Sequence, residues 1–222
     1  MSSSVFFVGP SGSGKTMLRR HIAEELRSLE VSFVEVSDYP FIYAEFLRER
    51  LGLSGGDNFK VGPHGSFQVD SDEPLRRAFA EMIECVRLQM ASGKVLLVEF
   101  AHKDNLGTLR QLDQTLLGAS RIVYVHSPIG MRIARLARRA SAPVVVPSLA
   151  GLAIHLSDDH HMPRVVSESL YAGDDLALLR EDPVISTMLI DIENTVDRSD
   201  PNFNGRCLRP LDEIVLWLLG RN

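Results

Sequence analysis

Five short apolar runs punctuate the chain: Ser4 to Val8, Val31 to Val36, Lys94 to Phe100, Arg121 to His126 and Thr187 to Ile192. Most are apolar at successive rather than alternate positions, the pattern of parallel strands covered on both faces. Between them, apolar residues recur at helical spacing. Leu18, Ile22, Leu26 and Leu29 form one stripe, Leu75, Phe79, Met82, Ile83, Val86 and Met90 a second, and Leu211, Ile214, Val215, Leu218 and Leu219 a third. Strands alternating with helices predict an α/β domain built on a doubly wound parallel sheet. The longest interruption, LSGGDNFKVGPHGSFQVDSDEP from Leu53, has the glycine, proline and polar content of a loop. No repeat, low-complexity tract or linker divides the pattern, so residues 1–222 are expected to form a single domain.

Composition narrows the class of partner. The chain has 222 residues, 45% of them hydrophobic, enough for one sizeable core. A formal net charge of -5 argues against a protein that binds nucleic acid by neutralising its phosphates. Cys85 and Cys207 are the only cysteines, too few for a disulfide framework and without metal-ligand spacing, which points to a reducing, cytoplasmic setting. MSSSVFFVG at the start lacks the basic segment of a signal peptide, and no stretch approaches membrane-spanning length. The expected partners are small molecules, with no nucleic acid and no membrane.

The chemistry is concentrated in VGPSGSGKTML, Val8 to Leu18. Gly9, Gly14, Lys15 and Thr16 fit the GxxxxGK[ST] register of a phosphate-binding loop, placed between an apolar strand and a helical stripe as that loop requires. Its glycines let the backbone turn several N–H groups toward one point, where the following helix adds its partial positive charge. Lys15 then faces the β and γ phosphates of ATP, and the Thr16 hydroxyl ligates a Mg²⁺ that bridges them. Gly9, Pro10, Ser11, Gly12, Ser13, Gly14, Lys15 and Thr16 are the candidate nucleotide-binding set.

Other phosphate-loop machines fit less well. A GTPase needs a guanine-reading Asn-Lys-x-Asp segment, and HKDN at His102 to Asn105 has the wrong order and position. LSGGDN at Leu53 imitates the signature of transporter ATPases, but about forty residues, a whole helix included, separate it from Glu99. The plainer reading of Leu53 to Gly56 is a helix C-terminus ending in Gly-Gly.

SPIGMRIARLARRASAP, Ser127 to Pro143, carries a cluster of arginines after the fourth apolar run. On a helix Arg132, Arg135 and Arg139 fall within about 60° of one another, and Ile133, Leu136, Ala137 and Ala140 are assigned to the opposing face. Three permanently charged forks on one side suit a phosphoryl group in transfer; a solvated basic face is the alternative. Two acids close strands that open on the same crevice. Asp38, in VEVSDYP, is assigned to orienting the acceptor hydroxyl, and Glu99, in VLLVEF, to the water shell of the metal, although the roles are exchangeable. A helix N-cap at Asp38 and a structural ion pair at Glu99 are the competing readings.

Phosphate loop, acidic turn after the second strand, acid on the third and R-x-x-R helix after the fourth together resemble the nucleoside and nucleotide (adenylate kinase-like) branch of P-loop kinases. That resemblance implies a three-layer αβα sandwich with a five-stranded parallel sheet in the order 2-3-1-4-5 and a helical lid within residues 127–182. It makes Arg132, Arg135 and Arg139 lid residues and sets the loop at Asn194 to Arg198 beside the adenine. Where deoxynucleoside kinases carry Asp/Glu-Arg-Ser, this chain reads VEFAHKDN.

The expected function is therefore transfer of the γ-phosphoryl of Mg-ATP to a small metabolite, with a nucleoside or nucleotide as first candidate and a sugar, antibiotic or nucleotide sugar as alternatives. Lys15, Asp38, Arg132 and Arg135 are its candidate catalytic residues, Arg139 a further nucleotide contact, and Thr16 and Glu99 the metal side. The rival class is a P-loop ATPase or nucleotide-dependent module acting on a macromolecular partner. HLSDDHHMP, His155 to Pro163, crowds imidazoles and carboxylates, but consecutive side chains diverge on regular structure, which favours a lid segment over a metal site. GPHGSF, Gly62 to Phe67, lies where such kinases bind their acceptor, and Asp174 and Asp175 read as a helix cap.

Overall fold

The computed structural model describes residues 3–61, 67–140, 143–146, 154–157, 174–196 and 200–220, with backbone alone at 139–140, 143–146 and 154–157. The chain runs β1 (Ser4–Val8), α1 (Lys15–Ser28), β2 (Phe33–Ser37), α2 (Tyr39–Arg50), β3 (Phe59–Val61), β4 (Phe67–Val69), α3 (Asp72–Met90) and β5 (Val95–Glu99). It continues through α4 (Asn105–Leu109), α5 (Gln114–Gly118), β6 (Ser120–His126), α6 (Ile129–Ala140), β7 (Pro143–Val146) and β8 (Ile154–Ser157). α7 (Leu176–Glu181), a 3₁₀ turn (Ile185–Met188), β9 (Leu189–Glu193), a π turn (Asn204–Leu208) and α8 (Arg209–Leu218) complete it.

Five strands form one sheet in the order β2-β5-β1-β6-β9, and each neighbouring pair is parallel. The hairpin strands change the numbering in detail; the sheet strands taken alone stand in the order 2-3-1-4-5. Successive residues of β1 explain the unbroken apolar runs. Phe6 and Val8 pack with Phe79, Met82, Ile83 and Val86 of α3, whereas Val5 and Phe7 pack with Leu18, Ile22 and Leu26 of α1 and with Leu211 and Ile214 of α8. Both faces are covered, so neither set of positions tolerates polar residues.

The segment expected to be a loop contains a small hairpin. β3 and β4 pair antiparallel, Phe59 opposite Val69 and Val61 opposite Phe67, and the Glu49 carboxylate of α2 accepts from the Asn58 and Phe59 amides at 3.0 and 3.1 Å. Three-residue strands are too short for alternation to stand out against the surrounding glycines and polar residues. The hairpin lies on α2, where Phe67 stacks on Phe46 with ring centroids 4.6 Å apart and meets Tyr39 and Tyr43 at 6.4 and 6.1 Å. α2 itself ends at Arg50, and the Leu53 amide closes back on the Arg48 carbonyl at 2.8 Å. Gly55 and Gly56 lie beyond that closure. β7 and β8 form a second antiparallel hairpin, from Pro143 opposite Ser157 to Val146 opposite Ile154. Among the described residues no helix is long and apolar enough to cross a membrane.

Candidate active site

The phosphate loop leaves β1 at the centre of the sheet. Gly9 has φ +124°, and a Cβ there would lie 2.4 Å from the Val125 carbonyl oxygen of β6, so the turn out of the strand admits glycine alone. α1 starts at Lys15, and the Met17 and Leu18 amides of its first turn close on the Gly14 carbonyl at 3.1 and 3.3 Å, which sets the helix N-terminus against the loop. Lys15 is 5% exposed and its ammonium donates to the Gly9 and Pro10 carbonyls at 2.8 and 3.0 Å. Ser13 is fully buried, and among the described residues its hydroxyl has no hydrogen-bond partner. Amides, an ammonium and an unsatisfied hydroxyl gathered around one turn are a donor set that fits a polyphosphate.

Thr16 Oγ1 donates to Glu99 Oε1 at 2.6 Å, and Arg19 Nε donates to Glu99 Oε2 at 2.9 Å. Arg19 also pairs with Glu35 on β2. Glu99 thus holds the threonine expected to ligate Mg²⁺. Among the described residues no group of three His, Cys, Asp or Glu side chains could hold a metal by itself. One hydroxyl beside one carboxylate suits Mg²⁺, which takes its remaining ligands from water and substrate phosphates.

Asp38 lies one strand over. Its amide donates to the Glu99 carbonyl at 3.1 Å, and its carboxylate accepts from the Ala101 amide at 2.8 Å. The Asp38 carbonyl accepts from the Phe41 and Ile42 amides, so the residue stands at the start of α2, but its side chain makes no capping bond. The carboxylate is turned toward the end of β5 instead. Burial, with the Glu99 charge adding to it, pushes its pKa up to about 6 against the pull of Lys15 and the Ala101 amide. Beyond it, Tyr39 and Tyr43 stack along α2 with centroids 6.1 Å apart, and both keep part of their surface open. His102, also near the end of β5, is held below its ordinary pKa by burial and contacts Phe79, Phe100 and the Thr108 hydroxyl.

On the other flank α6 lies against the loop. A Cβ on Gly12 would come within 2.8 Å of the Arg132 carbonyl oxygen, and Arg132 itself is 5% exposed. Arg135 Nη1 donates to the Gly12 and Ser13 carbonyls at 3.4 and 3.2 Å. Leu136 is buried on the same side as Arg132, and Ala137 is exposed. The assignment of Leu136 to an opposing face is therefore corrected: it follows Arg132 by four residues, little more than one turn, and shares its side of the helix. The Arg139 side chain and the 158–163 portion of the histidine-rich segment lie outside the described residues, as does 62–66 of the GPHGSF stretch. Asp174 and Asp175 are near α7 as expected, but Asp175 serves other elements: it accepts from the Asn105 and Leu106 amides at 2.6 and 3.0 Å and from the Tyr124 hydroxyl at 3.2 Å.

Asn194 opens the loop that the family resemblance sets beside the adenine. It is 2% exposed and its amide donates to the Ser13 carbonyl at 2.7 Å, beneath the phosphate loop. Ser127 and Arg19, both in contact with predicted site residues, carry no motif that singles them out.

Solved structures share this architecture at low sequence identity. A gluconokinase from Sinorhizobium meliloti 1021 superposes with a TM-score of 0.52 at 16% identity, covering 100% of this chain and 97% of that one. A sugar kinase from Janibacter sp. HTCC2649 gives 0.53 at 16% identity, covering 98% and 95%. The chain has the P-loop kinase fold. Neither match is an adenylate kinase-like nucleotide kinase, so the narrower grouping implied by the order of elements does not follow from them. No protein-family model matches the sequence, and no curated protein sequence matches it.

Proposed function

We propose that this protein is an ATP- and Mg²⁺-dependent kinase that moves the γ-phosphoryl group to a hydroxyl of a small metabolite. The observation that carries the reading is the convergence of Lys15, Thr16, Glu99 and Asp38 at the C-terminal ends of three adjacent strands, β1, β5 and β2. Lys15 and the loop amides hold the β and γ phosphates, and Thr16 with Glu99 holds the metal, which when bound neutralises charge on those phosphates. Asp38 accepts a hydrogen bond from the acceptor hydroxyl and takes its proton as the phosphoryl group leaves ATP. Arg132 supplies positive charge from α6. Positioning and electrostatics account for most of the acceleration in such a site.

A nucleoside or nucleotide remains the first candidate acceptor. The part-exposed rings of Tyr39, Tyr43 and Phe67 next to Asp38 support a substrate that carries a flat ring. A sugar is the second reading, favoured by the names of the two structural matches.

The test is mass spectrometry of a pooled panel of nucleosides, nucleoside monophosphates, sugars, sugar acids and aminoglycosides after incubation with Mg-ATP and the protein, beside Lys15→Ala. A phosphorylated product made by the wild type alone supports the reading and names the acceptor. ATP hydrolysis that no panel member stimulates, but that a macromolecular partner does, overturns it in favour of an ATPase module.

A further inference from the structure

The carbonyl of Ser13, inside the phosphate loop, is held from two directions by residues far away in sequence. Asn194 Nδ2 donates to it at 2.7 Å from the end of β9, and Arg135 Nη1 donates to it at 3.2 Å from α6. These side chains also hold each other. Arg135 Nη2 donates to the Asn194 Oδ1 and backbone oxygens at 3.2 and 3.3 Å, and its Nη1 reaches Ser127 Oγ at 3.1 Å. Ser127 Oγ in turn donates to the Asn194 carbonyl at 2.7 Å. Asn194 is 2% exposed and Ser13 fully buried, so these bonds lie where water competes little.

The peptide plane turns this clamp into a statement about the ligand. In a trans peptide the carbonyl and the following N–H point in opposite directions. With the Ser13 oxygen drawn toward Asn194 and Arg135, the Gly14 N–H is directed away from both side chains. The fit is close, because a Cβ on Gly14 would lie 2.2 Å from Asn194 Nδ2.

We infer that Asn194 and Arg135 are positioning residues that orient the Ser13–Gly14 peptide for the β-phosphate, an inference that rests on the phosphate-loop reading above. Arg135 turns one arm of its fork, Nη1, to backbone carbonyls of the loop and the other, Nη2, to Asn194. Its contribution therefore extends to every nucleotide that carries a β-phosphate, and is not confined to the γ-phosphoryl group in transfer. Asn194 acts through the loop and does not flank the base.

The experiment is calorimetric binding of MgADP, and of a non-hydrolysable ATP analogue with Mg²⁺, to wild type, Lys15→Ala, Asn194→Ala, Asn194→Asp, Arg135→Lys and the Asn194→Ala/Arg135→Lys double variant. All are compared at a temperature where circular dichroism finds each folded. The expected result is that each Asn194 or Arg135 variant weakens both nucleotides alike, by about three- to tenfold, the range that a lost hydrogen bond corresponds to. The double variant should lose much less than the product of the two single losses, because both substitutions break one clamp.

Loss of the ATP analogue alone, with ADP binding intact, would overturn the inference and return Arg135 to the γ-phosphoryl group. Folded variants that bind both nucleotides as wild type does would also overturn it, leaving a purely structural clamp. If Asn194→Ala does not fold, Asn194→Asp and Arg135→Lys carry the same comparison, since the first removes the donor to Ser13 and the second removes the fork while keeping the charge. Wild type that binds MgADP no better than Lys15→Ala would instead refute the phosphate-loop reading itself.

Discussion

Thr16 Oγ1 donates its proton to Glu99 Oε1 at 2.6 Å, joining the first turn of α1 to the end of β5. The bond uses the threonine's hydrogen and leaves its oxygen's lone pairs for a cation, with the Glu99 carboxylate hydrogen-bonded beside it. Glu99→Gln should therefore raise the Mg²⁺ concentration needed for half-maximal turnover by about 10- to 100-fold, the usual effect of losing a group that supports a metal ligand. Turnover measured against Mg²⁺ at fixed ATP tests this, and an unchanged midpoint would remove Glu99 from the metal's surroundings.

Lys15→Ala should lower phosphoryl transfer by at least about 10²- to 10³-fold, the scale of removing one charge-stabilising donor. Its ammonium donates to two loop carbonyls, and the fold should survive the loss, since α1 keeps its apolar face on the sheet. Steady-state assays beside a thermal melt separate the two effects.

Asp38 carries a pH signature. With its pKa raised to about 6, the carboxylate is protonated below that value and can no longer accept the acceptor's proton, so kcat/KM should fall on the acid side with a midpoint near pH 6. Asp38→Asn should abolish that limb and cost about 10²- to 10⁴-fold in rate.

The same residue affects stability with a definite sign. Between its ordinary value of 3.8 and about 6 the native state binds the extra proton, so its ionisation costs the fold stability as pH rises through that window. Asp38→Asn should accordingly stabilise the protein at pH 7.5 by about 2 to 3 kcal/mol and give no gain near pH 3.5. Urea unfolding at the two pH values measures it.

Gly9→Ala should destabilise by about 2 kcal/mol or more, because the new methyl meets a backbone carbonyl of β6 that cannot move without opening the sheet. Chemical denaturation is the readout, and a neutral result would mean that β1 can leave the sheet by another path.

Much of this architecture was legible because its signals are local. All five sheet strands lie within about two residues of the apolar runs, since burial on both faces keeps β1 and β5 almost wholly apolar, while the edge strands β2 and β9 admit Glu35, Asp191 and Glu193 at exposed positions. GPSGSGKT is legible for a similar reason: one turn needs its glycines, lysine and threonine in sequence. The clamp on Ser13 was not, because its partner Asn194 lies 181 residues away and an asparagine after a strand has no distinguishing pattern. Arg135 was found as a member of a basic face, but periodicity gives the side of a helix and not what that side meets. The β3/β4 hairpin escaped because two three-residue strands leave too few positions for alternation to register.

The central strand divides the site into two flanks with different duties. β6, β9 and α6 brace the phosphate loop, while β2, β5, α2 and the β3/β4 hairpin carry Asp38 and the aromatic rings. They meet at the Thr16–Glu99 bond. A chain of this design can exchange its hairpin and ring residues without disturbing the phosphate loop or its braces; substitutions that redirect specificity are expected to gather in α2 and the hairpin, and those that weaken every nucleotide-dependent reaction around the loop, its Glu99 partner and its supports from β9 and α6.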